Sequence, residues 1–549
     1  MAALKPVCSL CGKIRLFTSI TRKSYIQIYR SSSTEAKQKP LVWEPVIGLE
    51  IHAQIQADSK LFSRSSAKFG SPVNSQVAFL DAALPGTLPV LNRRCVEAGV
   101  VTALALQCQL NKVSRFDRKH YFYADLPVGY QITQQDHALA NNGVFRYTVF
   151  GQQDSDMVEK TVDIFQLQLE QDSGKSLHDE LDRQSLIDLN RAGCALMEIV
   201  TAPGFSSGDD ARSFVRDMRQ LLITLGTCDG KMSEGSLRVD ANISVHRPGE
   251  PLGVRTEVKN LNSMRSVRKA IDYEIIRQIG ILEMGGEVVN ETRSFDVETS
   301  ETVPMRDKEV KQDYRFMPEP NLPPLRLYHS IDLAKTDPDI WKSKIIIDDL
   351  ERSMPTLPRD KKQQLMDRYG ISLYQATFIV GENLEGVYEE LVVGRDAARF
   401  TQFFISEFIS KLRALDLTWD MCAVPSTRIG ELFDLRDVNK VSPTNGQWVL
   451  KAMLTDPEVR PAEWVESRGL WQITDIDVLT RACRTAIEDN PNAARKYLRG
   501  KARGMATLMG AARRGTENRA DSLTLNRMLR QMLADKAEEG GNDADSKGK

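Results

Sequence analysis

Residues 46–57 read VIGLEIHAQIQA and place a carboxylate and an imidazole two positions apart, Glu50 and His52. Ile47, Leu49, Ile51, Ala53 and Ile55 alternate with Gly48, Glu50, His52, Gln54 and Gln56. Period two predicts a strand whose apolar face packs on a core and whose other face carries Glu50 and His52 about 7 Å apart. The construction returns at residues 235–260. There Leu237, Val239, Ala241, Ile243 and Val245 alternate with Arg238, Asp240, Asn242 and Ser244, and a Gly/Pro turn leads into VRTEVKN. This predicts a hairpin whose second arm turns Arg255, Glu257 and Lys259 away from the core. Carboxylates clustered with Arg and Lys suit a metal and phosphate site.

Two more carboxylates stand in apolar company. Phe165, Leu167 and Leu169 alternate with Gln166, Gln168 and Glu170, and Glu198 interrupts Ala195-Leu196-Met197 and Ile199-Val200. A carboxylate in such a setting requires a partner or a cation. Asp172-Ser173-Gly174-Lys175-Ser176 resembles the end of a P-loop, but Leu169 stands where the first glycine belongs, so the chain has no Walker A motif. A nucleotide would instead be held through carboxylate-bound Mg²⁺ and Arg/Lys contacts.

These strands need helices to cover their apolar side. Helical periods at 209–226 and 262–285 put Phe214, Met218, Leu221 and Leu222, and Val267, Ile271 and Ile275, on single faces, with Gly226 and Gly285 as stops. Residues 41–335 therefore read as an α+β domain. Pro318, Pro320, Pro323 and Pro324 stiffen its exit. Residues 336–468 read as a helical domain, 469–536 as a smaller helical unit and 537–549 as a disordered tail.

The 549 residues carry 73 Lys+Arg against 74 Asp+Glu, which excludes a uniformly basic nucleic-acid coat. Residues 495–530 nevertheless hold ten Lys/Arg against Glu517 and Asp521, a local +8 that marks a nucleic-acid footprint. Tyr497 is the sole aromatic there, which favours recognition of RNA backbone and shape over base stacking. The uncharged run 98–111 is too short to span a bilayer, so no membrane role is expected. Eight scattered cysteines indicate a reducing compartment, and the pair Cys8 and Cys11 lacks a second pair at zinc spacing. Up to Glu35 the chain has no acid, while Lys5, Lys13, Arg15, Arg22, Lys23 and Arg30 are spread among Ser, Thr and aromatics; residues 1–40 thus read as a mitochondrial transit peptide.

Taken together, VIGLEIHAQI, PGTLPVLN, SRFDRKHYFYADLPVGYQITQ, LEQDSGKS, DLNRAGCALMEIVTAP, SEGSLRVDANISV, RTEVKNLNSMRSVRKAIDYEI and DYRFMPEPNLPPL resemble the B-subunit (GatB) family of tRNA-dependent amidotransferases. The tail NPNAARKYLRGKARGMATLMGAARRGTENRADSLTLNRML resembles that family's YqeY-like end. The resemblance implies a cradle domain with antiparallel sheets and a glutamine-synthetase-like active site, a helical linker and a tRNA-contacting tail. It implies a matrix heterotrimer in which an A subunit hydrolyses glutamine and a C subunit straps the two together. Channelled ammonia then aminates glutamate on Glu-tRNA(Gln), activated by ATP with Mg²⁺. Carried over by motif, the metal ligands are Glu50, His52, Glu170, Glu198, Asp240 and Glu257. Arg238, Arg255 and Lys259 face phosphate, and His52, Glu170 and Lys259 are the catalytic set.

The chain departs from the family pattern at three points. SPVNSQVAFLDAALPG stands where bacterial relatives carry a CPVC-type zinc pair, and Gln171 and Asn321 replace acids. Two rival readings are an ATP-dependent ligase acting on a small acid and a non-catalytic RNA scaffold. The basic tail argues against the first and the six ligand-type residues against the second.

Overall fold

The computed structural model describes residues 43–151, 157–179, 183–305, 313–333 and 341–545, so the expected transit peptide and the Cys8/Cys11 pair lie outside the described residues. The chain divides into two units, Met1–Pro355 and Thr356–Lys549.

The first unit is built on a nine-stranded sheet. In chain order its strands are β1 (Glu44–Gln54), β2 (Gln109–Leu110), β3 (Ala140–Val149), β4 (Val158–Gln171), β5 (Ala195–Thr201), β6 (Leu237–His246), β7 (Thr256–Leu261), β8 (Thr292–Asp296) and β9 (Glu301–Pro304). They lie side by side as β9-β8-β7-β6-β1-β5-β4-β3-β2, antiparallel except for the β7–β8 pair. The alternation in the sequence has its expected effect: Ile47, Leu49, Ile51 and Ala53 are at most 1% exposed. Strand β1 sits at the centre of the sheet, with Ile47, Leu49, Ile51 and Ala53 on its buried face and Glu50 and His52 on the other.

Two helices pack with the apolar side of the sheet, Gly208–Thr224 (α1) and Met264–Glu283 (α2). Each is opened by a serine cap: the Ser207 side chain accepts from the Asp210 amide and the Ser263 side chain from the Ser266 amide. Each is followed by a left-handed glycine, Gly226 (φ +63°) and Gly285 (φ +76°), the stops read from the sequence.

The predicted hairpin is β6–β7, with a bulge the sequence does not announce. Val239 faces Leu261 and Ala241 faces Val258, so Lys259 and Asn260 together oppose Asp240. Asn260 adopts φ +58°, and its freed amide donates to Asp240 Oδ1 at 2.9 Å.

The unit extends beyond the expected boundary at 335. Leu325–Tyr328 pairs in parallel with Ile345–Ile346, and Ile347–Arg352 packs on the helix Arg93–Ala105, so the segment up to Pro355 belongs with the sheet rather than with the helical domain.

The second unit is helical. Among its described residues there are two buried apolar clusters, one from Leu365 to Val465 that includes Tyr388, Phe400, Phe404 and Phe408, and one from Leu479 to Leu533. The final helix, Ser522–Asp545, continues past position 537, where a disordered tail was expected.

Candidate active site

Strand register collects the candidate residues on one sheet face. Across β1 and β6, Glu50 stands opposite Asp240 and His52 opposite Arg238. Across β1 and β5, His52 stands opposite Glu198, and across β5 and β4, Leu196 stands opposite Glu170. Glu257 of β7 faces Asn242 of β6. Directly opposed residues share a face, so all six candidate ligands emerge on the side away from α1 and α2.

They form two groups, His52–Glu170–Glu198 and Glu50–Asp240–Glu257, each with its potential ligand atoms within 4.8 Å of one another. His52 Nε2 lies 3.7 Å from Glu170 Oε1 and 4.0 Å from Glu198 Oε2. Burial, reinforced by Glu198, pushes the Glu170 carboxyl up to about 8. Burial followed by the charges of Glu198 and Glu257 raises Glu50. For His52, burial pulls the imidazole down, but Glu198, Asp240 and Glu170 outweigh it and the group is raised. The cluster thus favours holding protons or a cation.

Neutral donors orient these carboxylates. Thr133 Oγ1 donates to Glu170 (3.2 Å), Gln168 Nε2 to Glu198 (2.7 Å), Asn242 Nδ2 to Glu50 (2.8 Å) and Thr292 Oγ1 to Glu257 (3.1 Å). Such donors fix geometry while leaving the negative charge available to a metal.

The face opens into a cavity of about 680 Å³. Five cationic side chains line it, Lys119, Lys175, Arg191, Arg238 and Lys259, beside His52, Glu170 and Asp240. Arg238 is clamped by Asp172, Nη1–Oδ2 2.9 Å and Nη2–Oδ1 3.1 Å. Burial opposes ionisation of Asp172, but Arg238 and Arg191 hold it below the usual carboxylate range. Arg191 also donates to the carbonyls of Ser173 and Gly174. A Cβ on Gly174 would meet Asp188 O at 2.8 Å and Asp125 O at 2.9 Å, so the P-loop-like fragment is an irregular link between strands where close neighbouring backbone requires glycine.

Arg255 does not join this set. It precedes β7, is exposed, and is absent from the cavity wall. Lys119, Lys175, Arg191 and Asp172 were not among the candidates; their signal lay in the RKHYFYAD, DSGKS and NRAG stretches, as charges in otherwise turn-like sequence.

The family model described as "GatB/GatE catalytic domain" matches residues 45–331, and that described as "GatB domain" matches 386–533, beginning well ahead of residue 469. Over 534 residues the chain is 45% identical to the B subunit of the mitochondrial glutamyl-tRNA(Gln) amidotransferase of Homo sapiens, covering 96% of this chain and 94% of the relative. The corresponding mitochondrial protein of Drosophila melanogaster is 42% identical, with 89% and 95% covered. The B subunit of the aspartyl/glutamyl-tRNA(Asn/Gln) amidotransferase of Rickettsia canadensis is 41% identical, with 89% and 98% covered. With the catalytic-domain match spanning the whole ligand-bearing sheet and these relatives aligned nearly end to end, the chain belongs to the GatB family of amidotransferase B subunits.

Proposed function

We propose that the chain is the amidating subunit of a mitochondrial matrix glutamyl-tRNA(Gln) amidotransferase, a carbon–nitrogen ligase that uses glutamine as nitrogen donor and converts Glu-tRNA(Gln) to Gln-tRNA(Gln). It works with a glutaminase A subunit and a C subunit as a heterotrimer. The observation that carries this reading is the gathering of Glu50, His52, Glu170, Glu198, Asp240 and Glu257 into two adjacent ligating groups beside a cation-lined cavity. An antiparallel sheet presenting carboxylates on its open face also supports the glutamine-synthetase-like description. Among the described residues no helix is long and apolar enough to cross a membrane.

The residues present fit Mg²⁺. Hard oxygen donors dominate both groups, and burial first and neighbouring carboxylates second raise Glu50 and Glu170, a cost that a bound cation relieves. When bound, Mg²⁺ and ATP would supply the phosphoryl group that, with release of ADP, turns the glutamyl side-chain carboxylate into a mixed anhydride from which ammonia displaces inorganic phosphate, and the metal would shield the charge spread over the phosphate. Lys259, Lys119 and Lys175 line the cavity and would neutralise the phosphates of a nucleotide held there. Arg238, pinned by Asp172, presents a fixed rather than a mobile charge. Glu170 and His52 accept the proton that ammonia loses on becoming an amide. Replacing Asn242 by Leu removes the donor that orients Glu50 and is expected to weaken Mn²⁺ binding by about 10- to 100-fold, as read by a paramagnetic-resonance titration of the free metal. Unchanged affinity would remove Glu50 from the site.

The basic stretch supports tRNA as the carrier of the substrate. Arg495, Lys496, Arg499, Lys501, Arg503, Arg514, Arg527 and Arg530 are exposed. The other two serve the fold: Arg513 donates to Thr444 Oγ1 at 3.4 Å and Arg519 to Gly469 O at 2.8 Å. Replacing Lys496, Arg499, Lys501 and Arg503 by Ala is expected to raise KM for Glu-tRNA(Gln) and to lower its salt slope by roughly one unit per lost phosphate contact, with kcat nearly unchanged. A tRNA titration at two salt concentrations that gave equal slopes would assign these charges to solvent.

A further inference from the structure

Strict alternation along β7 would put Glu257, Lys259 and Leu261 on the cavity side and Val258 and Asn260 in the core. The chain does otherwise. Val258 and Leu261 are the buried residues, 0% and 1% exposed, opposite Ala241 and Val239, while Lys259, Asn260 and Asn262 line the cavity. The extra residue of the bulge resets the parity of the strand. Two consecutive residues, Lys259 and Asn260, thereby reach the cavity wall, and Leu261 returns to the core. Two residues later Ser263 caps α2.

The reset depends on one backbone conformation. Asn260 stands at φ +58°, where most L side chains are crowded and asparagine is among the few that settle readily. Strain of this kind persists where the surroundings fix it, and it gathers at functional sites. Here the Asn260 amide donates to Asp240 Oδ1 at 2.9 Å, and Asp240 is buried. Asp240 shares its ligating group with Glu50 and Glu257. Those two accept from side chains, Asn242 Nδ2 and Thr292 Oγ1, whereas this donor to Asp240 belongs to the main chain. A change of side-chain polarity at position 260 leaves the donor in place; a change of backbone conformation removes it. In the same bulge Lys259 Nζ lies 3.7 Å from Glu257 Oε2, so one backbone feature bears both on a carboxylate of the group and on the ammonium beside it.

We propose that Asn260 is a positioning residue whose left-handed backbone aims its amide at Asp240 and fixes that carboxylate for a divalent cation shared with Glu50 and Glu257. This rests on the metal-site reading given above. A neutral donor sets the direction of the carboxylate without cancelling the charge that attracts the metal. The other group, His52–Glu170–Glu198, is carried by β1, β4 and β5 and takes no part in the bulge. The effect of position 260 therefore falls on one of the two groups.

The test titrates the full chain with Mn²⁺ alone, reading free metal by paramagnetic resonance, in the wild type and in Asn260→Gly, Asn260→Ala and Asn260→Val. Glycine takes the left-handed conformation freely, alanine with difficulty, and a β-branched side chain least of all. Asn260→Gly is expected to bind Mn²⁺ within about threefold of the wild type, and Asn260→Val to lose about 10- to 100-fold at one class of site while the other class is unchanged. Asn260→Ala falls between them. In the assembled complex kcat for Gln-tRNA formation should follow the same order, with KM for Glu-tRNA(Gln) unchanged. Wild-type Mn²⁺ binding by Asn260→Val would overturn the proposal. So would equal losses in the glycine and valine variants, which would assign the effect to the carboxamide, and so would equal weakening of both classes of site, which would mark a general loosening of the sheet. If Asn260→Val does not fold, the glycine and alanine variants decide: equal affinities overturn the proposal, and weaker binding by alanine alone supports it. A wild-type chain that bound no Mn²⁺ would overturn the metal-site reading itself, a result separate from any difference among the variants.

Discussion

His52→Ala and Glu257→Gln, each introduced into the proposed complex, are expected to lower Gln-tRNA formation by on the order of 10²-fold or more, equivalent to about 3 kcal/mol of transition-state stabilisation. Glutaminase activity of the same preparations should stay largely intact. The two substitutions strike different groups. His52 belongs with Glu170 and Glu198, and Glu257 with Glu50 and Asp240. Losing His52 would remove one potential ligand of its group and the proton acceptor of the proposed mechanism. Neutralising Glu257 removes charge where Thr292 already supplies a hydrogen bond, so its geometry is retained and only electrostatics changes. Parallel assays of amide formation and glutamine hydrolysis check this. Near-normal amidation by either variant would take its group out of the catalytic site.

The largest effect on stability is expected from Lys60→Met. Lys60 is 0% exposed and pairs with a buried Asp81 that also accepts from the Ser63 hydroxyl and the Ala78 amide. Removing the ammonium leaves an uncompensated carboxylate in the interior, which costs about 3–5 kcal/mol. The melting temperature should fall by on the order of 10 °C. Lys60→Met combined with Asp81→Asn should recover part of that loss, because the stranded charge is gone while the hydrogen bonds to residue 81 persist. Thermal unfolding of the single and double variants measures both. If the single variant melts within a degree or two of wild type, the pair contributes far less than its burial implies. Lys60 also donates to Leu189 O, so the same variant loosens the loop behind Arg191 and should weaken metal binding as well.

Much of this site was legible in the sequence because period-two alternation states which residues share a face. Glu50 with His52, Asp240 with Arg238, and Glu170 with Gln168 could each be read within one strand. Alternation does not say which strands are neighbours. The pairing of His52 with Glu198 and of Glu50 with Asp240 joins residues well over a hundred positions apart, and only the register of β1 between β5 and β6 sorts the six residues into two groups of three. Arg255 shows the opposite failure. Its parity matched Glu257 and Lys259, but pairing begins at Thr256, so Arg255 stands before the strand and the face rule does not reach it.

The bulge at Asp240 was hidden because nothing in Lys259-Asn260 other than the asparagine's tolerance of a left-handed backbone distinguishes it from ordinary strand. The charge of Arg238 was read as available to phosphate, whereas Asp172, seen in the sequence only as part of a turn, holds it in two hydrogen bonds. The boundary placed at 335 followed the proline cluster. Prolines mark a stiff exit but do not stop the chain from returning, and Ile345 and Ile346 add an edge strand beside Leu327 and Tyr328. The helix through Asp545 is likewise invisible in a Gly/Asp/Lys-rich composition.

The most direct test of the central claim is the release of inorganic phosphate from ATP by the reconstituted complex, supplied with glutamine and one of three acceptors: Glu-tRNA(Gln), uncharged tRNA or free glutamate. The expected result is one phosphate released per Gln-tRNA formed, with neither of the other acceptors supporting release, and the loss of both products in His52→Ala. Equal release with free glutamate would contradict it and identify the site as that of a small-acid ligase.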